Sequence, residues 1–160
     1  MIPELGQFAL ALALGLALVQ SIVPMMGAAR GNLVWMRSAQ STALGQLVFV
    51  AVAFGALMWA FVVSDFTVKN VADNSNSLKP MIFKVAATWG SHEGSLLLWT
   101  LILALFGANI PHALRARTLA VQSWIALGFL SFMMFTSNPF DRLSPCPPPL
   151  QDCLATLAMT

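Results

Sequence analysis

Charge is what this sequence has least of. Only 9% of its 160 residues are Asp, Glu, Lys or Arg, against roughly 25% in an ordinary soluble domain. That shortfall excludes a water-soluble globule with a charged surface, and the 58% of hydrophobic residues point to an integral membrane protein. The formal net charge of +2 is too small and too dispersed to hold a phosphate backbone, so no nucleic-acid partner is expected. Tyrosine is absent, which leaves Trp as the aromatic suited to the headgroup level. The two cysteines, Cys146 and Cys153, lie close together near the end of the sequence without C-x-x-C spacing, so they define no metal motif. In an oxidising compartment they could pair. Enzyme signatures are missing as well: there is no G-x-S-x-G, no Gly-rich phosphate loop and no H-E-x-x-H, because Gly94, Ser95 and Leu96 follow His92-Glu93. Ser91 or Ser95 with His92 and Asp65 or Asp73 makes a Ser-His-Asp set in name only, since any polar loop offers one.

What is present is a set of long uncharged runs. Residues 5–29, 38–64, 94–114 and 118–140 contain no Asp, Glu, Lys or Arg, and each reaches the ~20 residues that cross a hydrocarbon core. The fold class expected is therefore all-α, an integral membrane protein. Its four transmembrane helices are placed at about 5–27, 42–63, 94–110 and 119–136, with the longest loop between the second and third. Met1-Ile2-Pro3-Glu4 has no basic n-region, so the first run reads as a retained helix rather than a cleaved signal. Gly6, Ala9, Ala13 and Ala17 recur along it and would let another helix approach closely, or simply serve as filler. Pro24 should fall near its end, with Gly27 closing it. Gly45 and Gly55 are expected packing positions in the second helix, and Trp59 lies near its far end.

The polar connection from Ser64 to about Thr88 holds Asp65, Lys69, Asp73, Lys79 and Lys84. Residues 64–71 could be a short extended piece, and the Asn/Ser cluster from Asn74 to Ser77 reads as turns in water. Residues 79–89 predict a helix lying on the membrane surface before the third span. Residues 111–117 form a basic loop with His112 beside Arg115 and Arg117, and Ser137-Asn138-Pro139 breaks the last helix. Arg30, Arg37, Arg115 and Arg117 fall in the two short loops, which favours both chain ends outside, with the 64–93 loop on that same outer side. Residues 144–160 form a Pro-rich tail, expected to be poorly ordered, beside a main unit at 1–143.

One stretch departs from plain apolarity: Trp89-Gly90-Ser91-His92-Glu93-Gly94, closing at Trp99. A His-Glu pair at a membrane boundary is costly to strip of water, and imidazole is the side chain whose charge changes near neutral pH. Three readings of His92 stand open. It caps or orients the third helix, with Glu93 in the favourable first turn. It is a ligand or positioning residue for haem or another planar cofactor, with Trp89 and Trp99 as stacking walls. Or His92-Glu93 is the proton-handling pair of a small proton-coupled transporter. A purely structural helical bundle is the remaining alternative.

The order and spacing of particular blocks carry a resemblance. Phe61-Val62-Val63-Ser64-Asp65-Phe66-Thr67-Val68, Val71-Ala72-Asp73-Asn74-Ser75-Asn76-Ser77, Ala86-Ala87-Thr88-Trp89-Gly90-Ser91-His92-Glu93-Gly94-Ser95-Leu96-Leu97-Leu98-Trp99 and Phe135-Thr136-Ser137-Asn138-Pro139-Phe140 resemble the amino-terminal part of the CcmF-type haem lyase subunits of bacterial cytochrome c biogenesis. The likeness covers residues 1–143. It implies a multi-pass protein of the bacterial inner membrane with a periplasmic N-terminus. It also implies haem as cofactor, and a haem chaperone, apocytochrome c and a thiol-reducing subunit as partners. The reaction implied is thioether formation between haem vinyl groups and the thiols of a C-x-x-C-H motif. Trp89, His92, Glu93 and Trp99, from the cofactor reading of the residues above, remain the haem-side candidates, while the family's main ligand histidines lie beyond the matched part. After Leu143 the sequence leaves the family pattern, so a truncation, a frameshift or a split subunit is expected, with ligation not achieved by this chain alone.

Overall fold

The computed structural model describes residues 2–31, 33–76, 78–109 and 115–143. The Pro111–Leu114 part of the expected basic loop, with His112, and the tail with Cys146 and Cys153 lie outside the described residues. Six helices follow in order: α1 (Ile2–Ala29), α2 (Leu33–Val63), α3 (Lys69–Asn74), α4 (Met81–Gly90), α5 (His92–Ala108) and α6 (Arg115–Phe135). Among the described residues the only β-type pairing is a single antiparallel bridge, Val68 with Arg142.

Four of these helices form a ring. α1 packs on α2 and α6, and α5 closes the ring by packing on the same two. Lipid tails are as apolar as Leu, so close van der Waals fit between small residues rather than water exclusion drives such packing. Ala9, Ala13 and Ala17 are buried on α1, and Ala39, Ala43, Ala53, Ala56 and Ala60 on α2. A Cβ on Gly45 would stand 3.0 Å from Leu16 Cδ1, which marks the α1–α2 approach. Gly55 faces open space, so the expected packing role belongs to Gly45 alone. Leu10, Leu57, Phe61, Leu97, Leu130 and Met133 fill the centre. Large apolar residues such as Phe8, Val48, Trp59, Phe106, Trp124 and Phe135 cover the outside.

Three helical stretches, Ile2–Gly27, Ser38–Val63 and Thr118–Phe135, are long and apolar enough to cross a membrane. The expected third span differs. α5 has 17 residues, about 26 Å at 1.5 Å per residue, and it meets α4 at a 78° bend. A fourth span exists on the length criterion only if the bent pair counts as one.

Several boundaries move for identifiable reasons. α1 does not close at Gly27: Pro24 is accommodated inside it, and the helix ends at Gly31, whose φ of 65° is the left-handed conformation of a C-terminal cap. α2 begins nine residues before position 42, taking Arg37 into the helix. The Arg30 guanidinium lies 5.7 Å from the Trp35 ring centre, a cation–π contact bridging the two helices. Residues 64–71 are not one extended piece, because α3 starts at Lys69 and only Val68 pairs as a strand residue.

Candidate functional site

The polar residues that the sequence scatters over three segments meet at one end of the ring. α2 stops where Ser64 takes φ 58° and Asp65 N–H donates to the Ala60 carbonyl at 2.9 Å, a left-handed cap on a residue with a Cβ. The Ser64 hydroxyl accepts from Lys84 Nζ at 2.7 Å, tying the start of the connection to α4. Asp65 Oδ1 accepts from Thr67 N–H and Oγ1, which turns the chain toward the bridge at Val68. Across that bridge Lys69 N–H donates to the Asp141 carbonyl at 2.9 Å and Leu143 N–H to Thr67 at 3.1 Å. The segment after α6 is thus sewn to the α2–α3 connection. The N-terminus joins them: the Phe140 ring lies on Gly6, where an added Cβ would stand 2.3 Å from it. Arg142 donates to Glu4 at 3.1 Å, an exposed pair that contributes little by itself.

The bend between α4 and α5 supplies the fourth wall. Ser91 is the N-cap of α5, its hydroxyl accepting from Gly94 N–H at 3.1 Å, as small hydroxyl residues do at a helix start. Of the open readings of His92, the cap itself falls to Ser91, and His92 is the first helical residue. Gly94 lies against the end of α4, so close that a Cβ would stand 1.6 Å from the Thr88 carbonyl oxygen. That approach fixes the fold-back and sends Glu93 and His92 in different directions.

Glu93 accepts from Ser137 Oγ at 2.9 Å and lines a cleft of about 160 Å³ with Lys69, Asn70, Asp73, Asn138 and Asp141. Asn70 is 5% exposed, its side-chain oxygen accepts from Asn74 at 3.0 Å, and its amide nitrogen has no partner. No group of three or more His, Cys, Asp or Glu side chains among the described residues is arranged to hold a metal ion. His92 instead sits on the outer surface, edge-on to Phe132 with ring centres 6.2 Å apart. Trp99, seven residues on and hence on the same helix face, is 60% exposed. Trp89 is exposed on α4. The four sequence candidates therefore divide: Glu93 belongs to the cleft, His92 and Trp99 to the outer face of α5, and Trp89 to α4. The ring that meets His92 is that of Phe132.

The cleft partners Asn70, Ser137 and Asp141 were not singled out from the sequence. The available signal was scarcity: in a chain with so few charges, short polar groups flanking the helix ends must share whatever aqueous surface exists.

Fold and site together define a membrane-type helical unit with a polar end built from the start of α1, residues 64–93 and residues 136–143. No protein-family model matches the chain. It is 53% identical over 92% of its length to the cytochrome c-type biogenesis protein ccl1 of Rhodobacter capsulatus. It is 54% and 49% identical, over 92% and 91%, to the CcmF proteins of Pseudomonas aeruginosa and Escherichia coli. A solved structure titled cytochrome c heme lyase CcmF superimposes with a TM-score of 0.83 over 91% of the chain at 26% identity. The chain is a homologue of the CcmF-type cytochrome c-type biogenesis proteins, and it spans about a quarter of their length: 24% of the first two relatives and 26% of the solved structure.

Proposed function

We propose that this chain is a haem-handling membrane unit of cytochrome c maturation, acting within a larger haem lyase assembly in the bacterial inner membrane. In this reading α1, α2, α5 and α6 are four spans. The N-terminus and the polar end face the periplasm, and residues 1–143 are the working unit. The likeness to curated cytochrome c biogenesis proteins across nine-tenths of the chain carries the reading. The distribution of Arg between the short loops agrees with the orientation.

Haem enters as substrate, supplying the vinyl groups to which apocytochrome thiols add. The surface around His92 suits one face of such a molecule. Among the described residues no hydrogen bond reaches its imidazole, Phe132 stands edge-on beside it, and Trp99 lies two helical turns along. A single imidazole on an aromatic face can guide or transiently hold a flat apolar ring system. It does not make a two-ligand site, so the remaining ligands belong to other parts of the assembly. Glu93, held by Ser137, fixes the register of α5 and hence the height of His92 in the membrane. A haem chaperone, apocytochrome c and a thiol-reducing subunit are the partners of this role.

The test is a chimera in which residues 1–143 replace the matching quarter of Pseudomonas aeruginosa CcmF in a strain lacking its own copy. Holocytochrome c, measured by haem staining, should be restored. His92→Ala in the chimera should then lower the yield roughly tenfold or more, as changes beside a metal centre do, at unchanged protein level. A chimera that accumulates normally yet makes no holocytochrome would refute the functional reading. A fully active His92→Ala chimera would reduce His92 to a surface residue.

A further inference from the structure

α4 is turned the wrong way round for a helix in water. Its inward side carries Thr88, fully buried, and Lys84, whose ammonium reaches back to Ser64 at 2.7 Å. Its outward side carries Met81, Ile82, 79% exposed, Phe83, 62% exposed, and Trp89, with Leu78 just ahead. Ile82, Ala86 and Trp89 follow an i, i+4, i+7 spacing with Phe83 beside them, so they form one stripe. Lys84 is the only charged residue in the helix, and it serves the interior. Nothing polar is left to meet solvent.

The geometry says what should cover this stripe. α4 packs on α2 and α5, two members of the helical ring, and its axis departs from α5 by 78°. If α5 stands across a bilayer, as the proposed function holds, α4 lies nearly in the membrane plane at the depth where α5 emerges. Trp89 falls at the end nearest α5, and Lys79 lies just before the other end. Trp and Lys both favour the zone between headgroups and acyl chains.

We infer that α4 is an interfacial anchor whose Met81, Ile82, Phe83 and Trp89 face is buried in the lipid headgroup–acyl boundary. Because Gly94 and Ser91 join α4 rigidly to α5, the anchor sets how far the polar cleft and His92 stand above the hydrocarbon. The occupant is the lipid surface rather than a protein groove. The exposed apolar residues of α4 join those that α2 and α5, the helices it packs on, also turn outward, such as Trp59 and Trp99, and an amphipathic helix in this attitude sinks about 5–10 Å into the boundary.

The experiment uses the full chain in nanodiscs of phosphatidylcholine and phosphatidylglycerol, with Cys146 and Cys153 replaced by Ser. Nitroxides are placed singly at Ile82→Cys and Phe83→Cys, with Asn76→Cys as the aqueous reference and Trp99→Cys as the lipid reference. Collision with oxygen is compared with collision with a water-soluble nickel chelate. Oxygen should dominate at 82 and 83, at depths between the two references. Nickel dominating at 82 and 83, or shielding from both agents, would overturn the anchor, the second outcome showing a protein cover. A nickel-dominated Trp99→Cys would instead remove the membrane placement of α5 on which the anchor rests.

Discussion

Gly94→Ala is expected to undo the polar end, while Gly90→Ala four residues earlier is expected to be tolerated. Both glycines sit in the same bend, and sequence inspection cannot rank them. The structure can: an added Cβ at Gly90 meets nothing within 4 Å, whereas at Gly94 it would stand 1.6 Å from the Thr88 carbonyl oxygen and 2.7 Å from the Ser91 hydroxyl. The obstacle at Gly94 is backbone, which cannot rotate aside, so α5 must pull away from α4. That movement also breaks the Ser91 cap, worth about 1 kcal/mol, and draws Glu93 from Ser137. Overpacking commonly costs about 1–3 kcal/mol, and this site should lie at or above that upper end. Unfolding in detergent followed by circular dichroism should show a clear loss for Gly94→Ala. For Gly90→Ala the change should be small, or a slight gain from better helix propensity.

Phe140→Ala should be the second severe change. Phe140 is 5% exposed and lies on Gly6 of α1, the contact through which the segment after α6 is clamped to the N-terminus. Removing a buried Phe typically costs about 3–5 kcal/mol. No side chain on Gly6 is available to fill the space, so the cost should not be relieved by repacking. The Val68–Arg142 bridge and the Glu93–Ser137 bond depend on the same segment. The variant should therefore lose protease protection over residues 136–143 before the ring of helices unfolds. Equal protection in both proteins would show that backbone pairing alone holds the segment.

Much of this architecture is written in residue spacing. Absence of charge over 20 or more residues locates the long helices, because a bilayer imposes a length that few other environments do. The small residues of α1 mark a close-packed side. A helix within 79–89 follows from a partly apolar run, and α4 occupies Met81–Gly90. Other features depend on partners distant in sequence. Gly31 rather than Gly27 ends α1, because Gly31 is the residue that takes the left-handed conformation, and Pro24 lies within the helix. α2 starts nine residues before the expected position 42, and Arg30 packs on Trp35 across the turn that precedes it. The division of Trp89, His92, Glu93 and Trp99 between cleft and outer surface was illegible. It follows from the 78° bend, and the bend follows from one glycine meeting one carbonyl. The polar cleft was half legible: Asp73 and Glu93 stand out in a nearly uncharged chain, but their meeting with Ser137 and Asp141 needs the last helix to return to the same end.

The claim on which the functional reading depends is that this polar end faces outward and the α1–α2 turn inward, and labelling in intact cells tests it directly. With the native cysteines replaced by Ser, Asn76→Cys in the α3–α4 connection and Arg30→Cys in the opposite turn are exposed in turn to a membrane-impermeant maleimide. The expected result is labelling of position 76 from outside the inner membrane, and labelling of position 30 only after the membrane is opened. Labelling of both from outside, or of position 30 alone, would contradict the account.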